Sequence, residues 1–176
     1  MYVHLDGARI SNAVASLGVS MKKATVDCGI DIMSLGGTKN GLLMGEAVLI
    51  FNKELVANAP YYQKQTAQLF SKNRFIAAQF SALLTNDLWL RMASHANLMA
   101  QKLSTEVGKL PGVEITRSVD ANAVFAIIPT HAIKPLQAKY PFYVWDEKTH
   151  ELRWMCSFDT TEEEVNGFVE CLKELL

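Results

Sequence analysis

Four side chains in this sequence have the types and surroundings to do chemistry: Asp6, Arg9, Lys39 and Arg153. Lys39 stands in "DIMSLGGTKNG", where an apolar run meets two glycines and then a single lysine between a threonine and an asparagine. The run reads as a buried strand, and Gly36-Gly37 as the turn that ends it. A lysine just past a strand end can be a solvated loop residue, a phosphate binder or a Schiff-base former. A P-loop is excluded: the G-x-x-x-x-G-K-[ST] spacing is absent, and Asn40 stands where a magnesium-binding hydroxyl is needed. Asp6 closes the strand-like "YVHLD", and Gly7 allows a sharp turn after it. Open α/β sheets bind ligands at such strand ends. Arg9, one turn further on, can face the same crevice.

Together these residue types fit one chemistry. A pyridoxal-phosphate enzyme needs a lysine for its cofactor and a carboxylate that keeps the pyridine nitrogen protonated, so that the ring acts as an electron sink. It also needs a cation for the substrate carboxylate, commonly an arginine that binds with two parallel hydrogen bonds. Asp6 and Lys39 each end a strand, with one helical stretch between them, and Arg9 and Arg153 are the candidate cations. The spacing permits this arrangement, while a simple turn at Asp6 and a solvated Lys39 stay open.

The elements that must position these residues follow from the pattern. "YVHLD" is a strand, "ARISNAVASLGVSMKKATVDCG" is helical with breaks at Gly18 and Gly29, and "IDIMSLGG" and "GEAVLIF" are strands flanking Lys39. This order predicts a parallel α/β unit whose strands are buried on both faces. Residues 53–109 carry helical signal, including Leu88, Met92, Ala96, Met99 and Leu103 near helical spacing with Thr85 or Asn86 as N-cap. Beyond Pro111-Gly112 the chain alternates again. "GVEITRS" and "AVFAIIP" read as strands, "HAIKPLQAKY" as a short helix, and "FYVWDEKTHELRWMCSF" as a hairpin turning at Glu147 to Thr149. Thr160 with Glu163 predicts a capping box before a final amphipathic helix bearing Val165, Phe168, Val169, Leu172 and Leu175. The expected layout is 1–52 as part of a larger α/β domain, 53–109 as a helical connection, and 110–176 as a small α+β domain.

Bulk properties narrow the function classes. The net charge is −1, from 17 basic and 18 acidic residues spread along the chain, which argues against nucleic acid as the main partner. No apolar run suffices to span a membrane; "GLLMGEAVLIF" is short and carries Glu46. "MYVHLDGARI" lacks the basic and apolar regions of a secretory leader. Cys28, Cys156 and Cys171 share no C-x-x-C spacing and are odd in number, as expected of reduced cysteines in a cytoplasmic protein. His4, His95, His131 and His150 show no metal-ligand spacing, so no metal site is expected.

"HLDGARISNAVASLG" followed by "DIMSLGGTKNGLLMGEAVLIF" resembles the centre of low-specificity L-threonine aldolases, in the β-eliminating lyase group of fold-type I pyridoxal-phosphate enzymes. "KQTAQLFSKNRFIAAQF" and "LRWMCSFDTTEEEV" resemble that family's later segments. The resemblance implies pyridoxal 5'-phosphate as cofactor, with Lys39 carrying it and Asp6 paired to its ring nitrogen. It implies Arg9 beside the ring hydroxyl and substrate carboxylate, Arg153 on that carboxylate, Thr38 near the cofactor phosphate, and Lys72 and Arg74 lining this site or a neighbouring subunit's. The implied substrates are threonine and allo-threonine-type β-hydroxy amino acids, cleaved to glycine and an aldehyde by a cytoplasmic homo-oligomer, a dimer or tetramer. Family members are substantially longer, so the chain is expected to lack the N-terminal half of the large domain. A non-catalytic remnant, or a related β-eliminating lyase or aminotransferase, is the alternative.

Overall fold

The computed structural model describes residues 1–176, which group into two compact units, Met1–Met92 and Ala93–Leu176. In the first, strand β1 (His4–Gly7) leads into helix α1 (Ile10–Leu17), the short helix α2 (Met21–Ala24) and strand β2 (Ile32–Gly36). β1 and β2 pair in parallel, with Leu5 opposite Met33 and Gly7 opposite Leu35. α1 is the crossover that makes this possible. Its Ile10 and Val14, one turn apart, are buried against Met33. Gly18, at φ +62, ends the helix and donates its N–H to the Val14 carbonyl at 3.0 Å.

β3 (Glu46–Ile50) corrects one expectation: it pairs with β2 antiparallel, with Gly36 opposite Glu46 and Ile32 opposite Ile50. The connection contains no α-helix, only the 3-10 turn Thr38–Asn40, and is shorter than the dozen or so residues a parallel crossover needs. Nor is β3 buried on both faces. Val48 is 65% exposed while Leu49 packs against the Met33 cluster, the alternation of a strand with one solvated face.

The helical stretch resolves into α3 (Ala59–Gln65), α4 (Asn73–Leu84) and α5 (Leu88–Val107). Between α4 and α5, Thr85–Asp87 forms a 3-10 turn with Asn86 at φ 51. The Thr85 hydroxyl, expected to cap α5, instead donates back to the Ser81 carbonyl at 2.6 Å.

The second unit is built on an antiparallel sheet ordered β4-β5-β7-β6, from Glu114–Ile115, Ala123–Ile127, Glu151–Met155 and Tyr143–Asp146 respectively. One face of its central strands, Val124, Ala126, Leu152 and Trp154, is buried with residues of α5, α6 (Thr130–Lys139) and α7 (Glu162–Leu175). Fully buried leucines such as Leu136, Leu152 and Leu172 each contribute about 2 kcal/mol by leaving water. The capping box of α7 lies one residue later than expected: the Thr161 hydroxyl accepts from Glu164 N and the Glu164 carboxylate accepts from Thr161 N. Thr160 is occupied elsewhere, its hydroxyl accepting from Ser157 N at 2.7 Å and its carbonyl lying 2.7 Å from His95 Nε2.

Candidate functional site

In the first unit the parallel register brings the exits of β1 and β2 to one edge. Asp6 is opposite Ser34, and Gly7 donates its N–H to the Ser34 hydroxyl at 3.2 Å. Asp6 is exposed there, accepting a hydrogen bond from Ala8 N at 3.0 Å. The strand ends lie so close that only glycines fit. A Cβ on Gly36 would stand 2.3 Å from the Ala8 carbonyl oxygen, and one on Gly37 would stand 2.6 Å from the Gly45 oxygen. This answers why two glycines precede Lys39: the chain leaves β2 against backbone on both sides.

Lys39 lies at the middle of a 3-10 turn, Thr38–Asn40, and is exposed with neither an ion pair nor a hydrogen bond on its amine. Its loop, by contrast, is held at several points. Thr38 N donates to the Gly45 carbonyl at 3.2 Å, and the Thr38 hydroxyl accepts from Gly45 N at 3.0 Å. Asn40, buried, donates its amide to the Trp89 carbonyl at 3.0 Å, and Gln79 of α4 accepts from Leu43 N at 2.9 Å. Asn40 and Gln79 were not among the expected site residues. Asn40 is adjacent to Lys39 in the sequence, but nothing in the sequence marks its amide as an anchor.

Arg9 occupies the N-cap position of α1 at the same edge, its carbonyl accepting from Asn12 N and Ala13 N. Lys72 immediately precedes α4 and Arg74 lies in its first turn. Both are exposed, and the Arg74 guanidinium lies 4.9 Å from the Phe75 ring centre. No group of three or more His, Cys, Asp or Glu side chains is placed to hold a metal ion.

Arg153 belongs to the second unit, in the middle of β7 on the face away from the core. It is opposite Phe125 on one side and Tyr143 on the other. It forms no ion pair, and its Nε–H is sealed from solvent without a partner. Its guanidinium carbon lies 4.5 Å from the Trp145 ring centre and 5.8 Å from that of Tyr143. Arg117, on the same face, is used differently: it lies 4.2 Å from the Phe125 ring centre and donates to the Glu151 carboxylate. Hydrogen bonds from Arg117 and Thr116 hold the Glu151 carboxyl below the usual glutamate range.

The parallel β1–β2 pair, followed in the sequence by a small antiparallel unit under helices, matches a fold-type I pyridoxal-phosphate enzyme fold, as the sequence leads one to expect. A solved threonine aldolase of Leishmania major aligns with it at a TM-score of 0.87 and 30% identity, over 99% of this chain and 52% of that one. The chain belongs to the β-eliminating lyase family, whose model matches residues 1–130. It is 45% identical over 175 residues to a low specificity L-threonine aldolase of Pseudomonas sp. (strain NCIMB 10558), covering 99% of this chain and 50% of that protein. It is 43% identical over 166 residues to one from Pseudomonas aeruginosa, covering 94% and 48% respectively. The chain thus spans about half the length of the curated relatives it matches.

Proposed function

We propose that this chain carries the lysine-bearing part of a pyridoxal-phosphate-dependent aldolase that cleaves threonine and allo-threonine-type amino acids to glycine and an aldehyde. The observation that carries the reading is the shared exit edge of β1 and β2, with Asp6 exposed on it and the Lys39 amine uncommitted beyond it. These residues fit the cofactor: a free amine to hold it, a carboxylate for its ring nitrogen, and a rigid glycine-lined loop that excludes side chains.

In this reading Lys39 would hold the cofactor through its uncommitted amine. Asp6 keeps a proton on the ring nitrogen, because a carboxylate favours the positive form beside it. Pyridoxal phosphate bound there would supply an electron sink for cleavage of the substrate's Cα–Cβ bond. Arg9 and Arg153 orient the amino acid through its carboxylate, Thr38 lies toward the cofactor phosphate, and Lys72 and Arg74 line this site or that of a neighbouring copy. We take the working form to be a cytoplasmic homo-oligomer. Exposed Leu43, Met44, Val48, Tyr61 and Tyr62 in Met1–Met92 support self-association.

Borohydride reduction with pyridoxal phosphate, followed by peptide mapping, tests the assignment. The expected outcome is label on Lys39 and its loss in Lys39→Ala, with glycine and acetaldehyde as products wherever the complete enzyme is given threonine. Label on Lys22, Lys23 or Lys72 instead would overturn it.

A further inference from the structure

The contrast between the two arginines of the second unit carries a further inference, which rests on reading Arg153 as the receptor for the substrate carboxylate. Arg117 is held by Glu151, and its charge is compensated there. Arg153 has no carboxylate or carbonyl partner, yet its side chain is partly buried and stacked. We infer that Trp145 is the positioning residue for Arg153: its ring fixes the guanidinium plane and leaves the cation's charge and outer N–H groups for a ligand carboxylate.

The backbone is shaped for this contact. In the β6–β7 pairing Tyr143 is opposite Arg153 and Val144 opposite Leu152, but Asp146 is opposite Glu151. Trp145 is therefore the extra residue of a β-bulge, a device that re-aims a side chain at the cost of local pairing. Its ring is braced edge-on by Phe125, centres 5.6 Å apart and planes at 76°. The four-residue turn of this hairpin carries His150 at φ 57 just before β7.

A carboxylate in the place of the ring would hold Arg153 equally well, but it would neutralise the charge and fill the fork that a substrate needs. An indole face attracts the cation through its quadrupole and offers no acceptor. The platform therefore orients without competing. Trp145 is 48% exposed and lies outside the buried core, so its replacement leaves the core packing of the unit in place.

The test follows the Arg153 Nε–H signal by nitrogen-resolved NMR of the pyridoxal-phosphate-treated chain, assigned by its loss in Arg153→Lys, during titration with glycine. In the parent chain the signal should exchange slowly with water and shift with glycine. Trp145→Leu should remove the protection and raise the glycine midpoint about threefold to thirtyfold, the size of a cation–π contact. Trp145→Phe should fall between, and Tyr143→Leu, whose ring centre lies 5.8 Å away, should change less. Unchanged protection and midpoint in Trp145→Leu, with Arg153→Lys impaired, would overturn the inference and leave Arg153 as the receptor. An equal effect of Tyr143→Leu would overturn it too, assigning the loss to the hairpin as a whole. If Arg153→Lys itself binds glycine normally, the reading of Arg153 fails and Trp145 falls with it.

Discussion

Replacing Gly36 by alanine should separate the two strand exits that carry Asp6 and Lys39. The added Cβ would stand 2.3 Å from the Ala8 carbonyl oxygen and 2.7 Å from both Ala8 C and Ala8 Cα. All three are backbone atoms, so no side chain can swing aside. Relief requires the exits of β1 and β2 to part by about 1 Å, the shortfall from ordinary van der Waals contact. Overpacking of this kind costs about 1–3 kcal/mol, and a backbone contact belongs at the upper end. A misplacement of about 1 Å between groups that must act together can reduce rate by on the order of 100-fold. Urea denaturation should therefore show a loss of about 3 kcal/mol, and reductive labelling of Lys39 by pyridoxal phosphate should slow by roughly tenfold or more. Gly18→Ala is the control. Nothing lies within 4 Å of its Cβ, and its φ of +62 imposes only a conformational penalty, about 1 kcal/mol, far from Lys39 in the chain. Gly36→Ala that labels at the parent rate with parent stability would refute the steric argument and the role given to the closed exit.

Acid should test Glu151. Its folded carboxyl titrates below the ordinary glutamate value of 4.5, so its stabilisation is present above that value and is lost as pH falls through the folded value. Glu151→Gln should cost about 1 kcal/mol at pH 7, a figure discounted because Arg117 is half exposed, and should flatten the acid limb of a pH–stability curve; an unchanged limb would contradict it. Iodoacetamide at pH 8 should modify exposed Cys28 first, whereas burial pushes the Cys156 thiol up to about 11 and closes access, slowing it at least a hundredfold. Equal rates at the two cysteines, followed by mass spectrometry, would count against the packing of the second unit.

Local chemistry that depends on neighbours along the chain was legible without the structure. The order of strands and helices, the glycine stop after Leu35, the hairpin around Glu147 to Thr149 and the apolar stripe of the last helix all follow from period and turn residues. So did the exit of Asp6 and Lys39 from successive strands, since an intervening helical crossover makes their pairing parallel and puts both exits on one edge. Contacts between segments distant in sequence required the fold. Two overlapping T-x-x-E matches precede α7, and only the bonds of Thr160 to Ser157 and His95 leave the cap to Thr161. The direction of β3 depends on how the loop around Lys39 folds back, and that loop is tied through Asn40 to Trp89, 49 residues on, and through Leu43 to Gln79, 36 residues on. The stacking of Trp145 on Arg153 depends on a bulge, which is a property of two strands in register and of neither strand alone. Propensity and periodicity are short-range, and each of these outcomes is a choice between locally equivalent arrangements that only packing across the chain can separate.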